Sequence, residues 1–149
     1  MKTFQFIVVL GLAVVSLLLL DSQGASRTAR AQESPAPDVA HGRYLVEEVA
    51  KCAECHTPRD AQGRLDKTRW MQGARIWIRP VHPVQNWAER VPPLAGFPSM
   101  TEAQGERVLE KGTGPNGEAL RPPMHIYHMN QEDARDIIAY LKSLHAATP

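Results

Sequence analysis

"KCAECHTPRD", residues 51–60, holds both cysteines of the chain, three positions apart, with a histidine directly behind the second. Few patterns restrict a fold so tightly. On a helix, side chains three and four positions apart share a face, so Cys52, Cys55 and His56 project from one side. Three chemistries use such a set: a redox dithiol, half of a zinc site, or a covalent anchor for a haem. A thioredoxin-like dithiol needs a βαβ setting, and no such pattern surrounds this one. Zinc would need partners from His41, His82, His125, His128 and His145, none of which offers the usual H-x₃₋₅-H spacing beside a second cluster. A disulfide across two intervening helical residues is sterically poor. The haem anchor fits best: two thiols can add to two vinyl groups while the imidazole reaches the iron.

The beginning of the chain bears on the compartment. "MKTFQFIVVLGLAVVSLLLLD" has Lys2, an uncharged run from Thr3 to Leu20, then Asp21. A cleaved signal peptide has an apolar run of ~7–15 residues, whereas a membrane anchor needs ~17–25. Ala29-x-Ala31 is a good cleavage pattern far from Leu20; Ser22-x-Gly24 is nearer and weaker. Run length tips the balance toward an uncleaved anchor through residues 3–20, with Lys2 on the cytoplasmic side. Either way the domain lies outside the cytoplasm, in the periplasm of a Gram-negative source, anchored to the inner membrane or soluble after cleavage. The organisation expected is an export signal or anchor at 1–31, a linker at 32–38 and a single domain at 39–146. The linker lies in "ASRTARAQESPAPD", which is small, polar and proline-bearing.

Charge names no partner. The 149 residues carry 17 basic and 16 acidic side chains, a formal net charge of +1, without the basic excess of a nucleic-acid binder. Loss of Lys2, Arg27, Arg30 and Asp21 with the leader would leave 14 basic and 15 acidic residues.

Periodicity predicts a first helix from Pro37 or Asp38 through Cys55, with Val39, Tyr44, Leu45, Val49 and Cys52 roughly on one face. It must be over by Pro58. Arg59 to Pro98 reads as loop, with five prolines after Arg79 and tryptophans at 70, 77 and 87; "ARIWIR" could form a short strand. So long a span needs an organiser other than secondary structure, and a large apolar cofactor would serve. A second helix spans "TEAQGERVLEKG", with a Thr101/Gln104 capping box and Gly112 as its stop. The last starts at Asn130 and carries Ala134, Ile137, Ile138, Leu141 and Leu144 on one stripe. The fold class is mainly α, three to four helices with long loops around one covalently attached haem.

An iron held by His56 has a sixth position to fill. The candidate is Met124 in "LRPPMHIYHM", where Pro122 and Pro123 would stiffen an extended approach. A thioether there favours ferrous iron and raises the potential. His125, Met129 and His128 are rivals in the same segment, His125 the most serious.

The segments "GRYLVEEVAKCAECHTPRD", "RPPMHIYHM" and "EDARDIIAYLKSL" together resemble a single-haem class I cytochrome c of the bacterial membrane-associated or dehydrogenase-linked kind. The resemblance runs from about Val39 to Leu144. It implies haem c on Cys52 and Cys55, His56 as proximal and Met124 as distal iron ligand. It also implies a crossing of the first and last helices, with Gly42, Tyr44 and Leu45 on one side and Tyr140 and Leu141 on the other. One departure is an interval from Gly42 to Cys52 that is longer than in many relatives. The function implied is one-electron transfer, with no substrate bond made or broken. A dehydrogenase would be the donor, and an oxidase or another cytochrome the acceptor. The alternative is a haem-based gas sensor or peroxidase-like protein with an open or displaceable sixth position.

The second ring nitrogen of His56 should donate to a backbone carbonyl. In the family resembled this carbonyl belongs to a proline beyond the motif, for which Pro80 and Pro83 are candidates. Trp70, Trp77 and Trp87 could wall the haem, their indole N–H groups reaching a propionate. Six basic and two acidic residues lie between Arg59 and Arg79. They could balance the propionates or steer an acidic partner, though a merely solvated loop accounts better for charges so scattered.

Overall fold

A computed structural model describes residues 35–145, and every element below belongs to the unit Pro37–Pro149. The expected export segment at 1–31 lies outside the described residues. Asp38 opens the first helix, α1 (Val39–Tyr44), its carboxylate accepting the N–H groups of Ala40 and His41. α1 continues as a π-helical turn, Leu45–Val49, in which the N–H of Ala50 reaches back to Leu45 O at 2.7 Å. A π turn takes up one extra residue without breaking the helix. That is how the long interval between Gly42 and Cys52 is accommodated.

The single helix expected through Cys55 is in fact two. Lys51 takes a positive φ of 51°, which ends the first axis. Cys52 then caps α2 (Ala53–His56). The following loop holds a 3₁₀ turn at Lys67–Arg69, capped by Asp66. The strand expected in "ARIWIR" is present but short. β1 (Ala74–Arg75) pairs antiparallel with β2 (Arg90–Val91), Ala74 facing Val91 and Arg75 facing Arg90. The chain's own hydrogen bonds tie this long span down, among them Asp66 N to Pro58 O at 2.8 Å and Leu94 N to Met71 O at 2.8 Å.

α3 (Glu102–Lys111) has the expected capping box between Thr101 and Gln104 and ends at Gly112, whose φ is 65°. α4 (Gln131–Ser143) starts at Asn130, whose side chain accepts the N–H of Asp133. Leu144 turns extended and closes the helix, and still packs against the core that the stripe builds.

α1 and α4 cross where Gly42 meets the backbone of Asp136. A Cβ at Gly42 would lie 1.9 Å from Asp136 O, so only a residue without a side chain permits this approach. Val46, Ala134, Ile137 and Ile138 fill the contact and are almost wholly buried. The Tyr140 hydroxyl donates to Glu47 on the π turn. Tyr44 does not join the crossing as expected. It stands at the end of α1, just before the π turn, more than half exposed and with its ring beside His41. α3 lies on the other flank of α4, with Gly105 under Phe97 and Ile138. Among the described residues the architecture is mainly helical, four helices with loops.

Candidate functional site

Cys52, Cys55 and His56 occupy a single helical turn, with the N–H of His56 bonded to Cys52 O at 2.9 Å. Both thiols are free and half-buried. His56 is 7% exposed, and its Nδ1 lies 2.9 Å from Pro92 O. A carbonyl only accepts, so the proton sits on Nδ1 and the lone pair is left on Nε2.

The carbonyl that orients His56 is therefore that of Pro92, not of Pro80 or Pro83, which lie out in the excursion between the two strands. Pairing explains the choice. β2 brings the chain back to β1, and the residue before β1, Gly73, donates its N–H to His56 O at 2.9 Å. Gly73 has φ +78°, and a Cβ there would stand 2.8 Å from Val91 O and 2.9 Å from Pro93 N. This glycine lets residues 91–93 lie against the end of α2, within reach of the imidazole. Thr57, next in sequence, accepts the N–H of Met71 at 3.0 Å on its hydroxyl.

The electrostatics separate the three chemistries. Burial pushes the Cys52 thiol up to about 11, and it raises Cys55 too, with Glu54 adding to it. A redox dithiol works through a lowered thiol pKa, the opposite of what this site provides. Burial also lowers the pKa of His56, against the opposing bond to Pro92, which keeps the ring neutral and able to ligate. Among the described residues no three histidine, cysteine, aspartate or glutamate side chains converge to hold a bare metal ion. The set does fit a c-type haem: two unbridged thiols on one face, and beside them a neutral imidazole with a free lone pair.

Met124 is half-buried and stands outside the packed core. Its approach is a turn and not the extended stretch expected. The Pro122–Pro123 bond is cis, and Met124 N closes back on Arg121 O at 3.1 Å, the pattern of a type VI turn. The turn is tied to a second loop: Arg121 donates to the carbonyls of Asn86 and Trp87, each at 3.1 Å, and Ala88 N donates to Pro122 O at 2.7 Å. The rivals have other surroundings. Met129 packs against the core and bonds through its N–H to Leu109 O. His125 is exposed with its ring against Tyr127, and His128 is exposed at φ 54°.

Tyr127 links this segment to the chain just before the Cys52–His56 turn. Its hydroxyl donates to Ala50 O at 3.2 Å, and burial, with both cysteines nearby, pushes its pKa up to about 12. Pro92, Arg121 and Tyr127 all escaped sequence reasoning, because each acts through a backbone carbonyl and leaves no spacing motif. The tryptophans divide. Trp77 spends its N–H on Glu54 O at 3.2 Å and is 59% exposed, so it does not serve as an inner wall with a free donor. Trp70 packs against the core beside Tyr140. Trp87 is half-buried, with no side-chain hydrogen bond among the described residues.

The sequence profile of the family described as Cytochrome c matches residues 39–145. A protein described as diheme cytochrome c-type from Cereibacter sphaeroides is 55% identical over 38 residues, 26% of this chain and 13% of the relative. The fructose dehydrogenase cytochrome subunit of Gluconobacter japonicus is 28% identical over 116 residues, 73% of this chain and 22% of the relative. The chain thus corresponds to only a minor part of either relative's length.

Proposed function

This chain belongs to the cytochrome c family, in which a c-type haem transfers electrons, and from that membership we infer a one-electron carrier with a single covalently attached haem and His/Met ligation. The bound haem would supply a one-electron couple. Cys52 and Cys55 would hold the macrocycle through thioether bonds, and His56 would offer the lone pair of Nε2 to the iron. Pro92 keeps that ring from rotating and raises its basicity through the Nδ1–H bond. Met124, at the closure of the turn anchored by Arg121 and Ala88, would offer its thioether sulfur as the second iron ligand. No substrate bond is made or broken. A dehydrogenase upstream suits the likeness to a fructose dehydrogenase cytochrome subunit, with an oxidase or another cytochrome downstream. The uncharged run of residues 3–20 supports a site for this exchange outside the cytoplasm, the periplasm in a Gram-negative source.

The observation that carries this reading is His56, with Nδ1 locked and Nε2 free, on the same turn as two unbridged thiols. The test is a redox titration followed by visible spectra on matured protein whose mass and N-terminus are known. The mass should include one haem, and the ferric protein should show a far-red sulfur–iron band. Met124→Ala should abolish that band and let carbon monoxide bind the ferrous protein, whereas Met129→Ala should keep both properties of the parent. A colourless product of unaltered mass refutes the reading. A band that survives in Met124→Ala moves the ligand elsewhere in the segment.

A further inference from the structure

The basic excess after the attachment turn divides sharply in three dimensions. Its first half, Lys67 apart, is neutralised at home: Arg59 pairs with Glu54 at 2.7 Å, Arg64 with Asp60 at 2.9 Å and Arg69 with Asp66 at 2.7 Å. Its second half is not. Arg75, Arg79 and Arg90 make no ion pair among the described residues. Arg75 and Arg90 are also direct register partners across β1 and β2. Like charges directly opposite each other on a ladder repel, and nothing in the described fold offsets that here.

Exposure alternates from residue 75 to 79, with Arg75, Trp77 and Arg79 outward and Ile76 and Ile78 half-buried. Glu89, the acid nearest in sequence, faces Ile76, whose N–H bonds to Glu89 O at 2.9 Å. It therefore sits on the opposite side of the ribbon from Arg90. Beyond Arg79 the excursion displays Val81, 93% exposed, and Val84. Trp77 ties this face to the cysteines, since its indole donates to the carbonyl of Glu54, between Cys52 and Cys55, and the Arg59 guanidinium lies 4.5 Å from its ring centroid.

We propose that the outward face of the β1–β2 excursion, with Arg75, Arg79 and Arg90 around Trp77, docks an acidic surface of a redox partner protein. The inference rests on the electron-carrier reading. Charge complementarity selects the partner: an array of carboxylates relieves the Arg75/Arg90 repulsion, while the exposed aromatic and valines offer apolar contact. The Trp77–Glu54 bond puts that partner against the turn that carries the thiols. A protein there can exchange electrons, and an anionic lipid headgroup cannot, which favours the protein as occupant.

The test uses the haem-loaded protein and two inorganic probes of opposite charge. Reduced protein is oxidised in separate runs by hexacyanoferrate(III) and by the cationic tris(phenanthroline)cobalt(III), one electron passing to the metal complex each time. Arg75→Gln/Arg90→Gln should slow the anionic reaction by about threefold or more at low salt and not the cationic one, with the gap closing above ~0.15 M salt. Lys111→Gln, an exposed change on α3, should leave the ratio of the two rates as in the parent. An unchanged ratio in the double variant overturns the proposal while leaving the carrier reading intact. Failure to react with either probe overturns both. Co-sedimentation with phosphatidylglycerol vesicles that is lost in the double variant assigns the face to a membrane, and also overturns the proposal.

Discussion

Two glycines with nearly the same φ show how one residue can govern the setting of His56. Gly63 and Gly73 have φ of +79° and +78°, yet a Cβ at Gly63 meets nothing within 4 Å, while one at Gly73 meets Val91 O at 2.8 Å. Gly63→Ala should therefore cost only the strain of an L side chain at positive φ, about 1 kcal/mol. Gly73→Ala adds a clash that pushes residues 91–93 off α2, and should cost about 1–3 kcal/mol. It should also raise the reduction potential, because an imidazole that loses its bond to Pro92 becomes a weaker donor to ferric iron. Denaturant midpoints and potentials of the two variants check this. Equal potentials in Gly73→Ala and the parent would show that Pro92 orients His56 without tuning it.

At the scale of elements, the crossing of α1 and α4 is the contact on which the fold turns. Gly42 stands against backbone, which cannot rotate away, whereas Gly105 stands against the Phe97 ring and the tip of Ile138, which can. Gly42→Ala should force the helices apart and lower stability by about 2–3 kcal/mol, and Gly105→Ala by less. Urea unfolding of both variants gives the ordering, and a milder effect at Gly42 would contradict the close approach. The two residues were not equally legible. Gly42 stood out through the family resemblance, but no pattern in the chain distinguishes a glycine against backbone from one against a ring. The π turn shows the same limit: an interval of unusual length was visible, but where the surplus residue would go was not.

For the molecule as a whole, the first and last helices are also joined by a buried carboxylate. Asp136 is 4% exposed, accepts the N–H of Asp38 at 2.7 Å and lies 2.9 Å from His41 Nδ1. His41 faces Asp38, Asp133 and Asp136, and its pKa is raised from the ordinary 6.5, first by the bond to Asp136 and against some desolvation. A histidine with a raised folded pKa binds its proton more tightly in the native state. The ionic stabilisation is thus complete below 6.5 and fades as pH climbs through the folded value, while the neutral ring can still donate to Asp136. His41→Ala should accordingly lower the urea midpoint more at about pH 5.5 than at about pH 8.5. An equal loss at both values would leave the contact as a plain hydrogen bond. By itself the sequence determined the turn that joins Cys52, Cys55 and His56, the capped helices α3 and α4 and the mainly helical class, because each is written in spacings of four residues or fewer. Only the tertiary structure decided that Pro92 holds His56, that Tyr44 faces solvent and that Arg75 stands opposite Arg90. Those relations join residues that are distant in the chain or set apart by a local irregularity, and the path of the intervening backbone determines them.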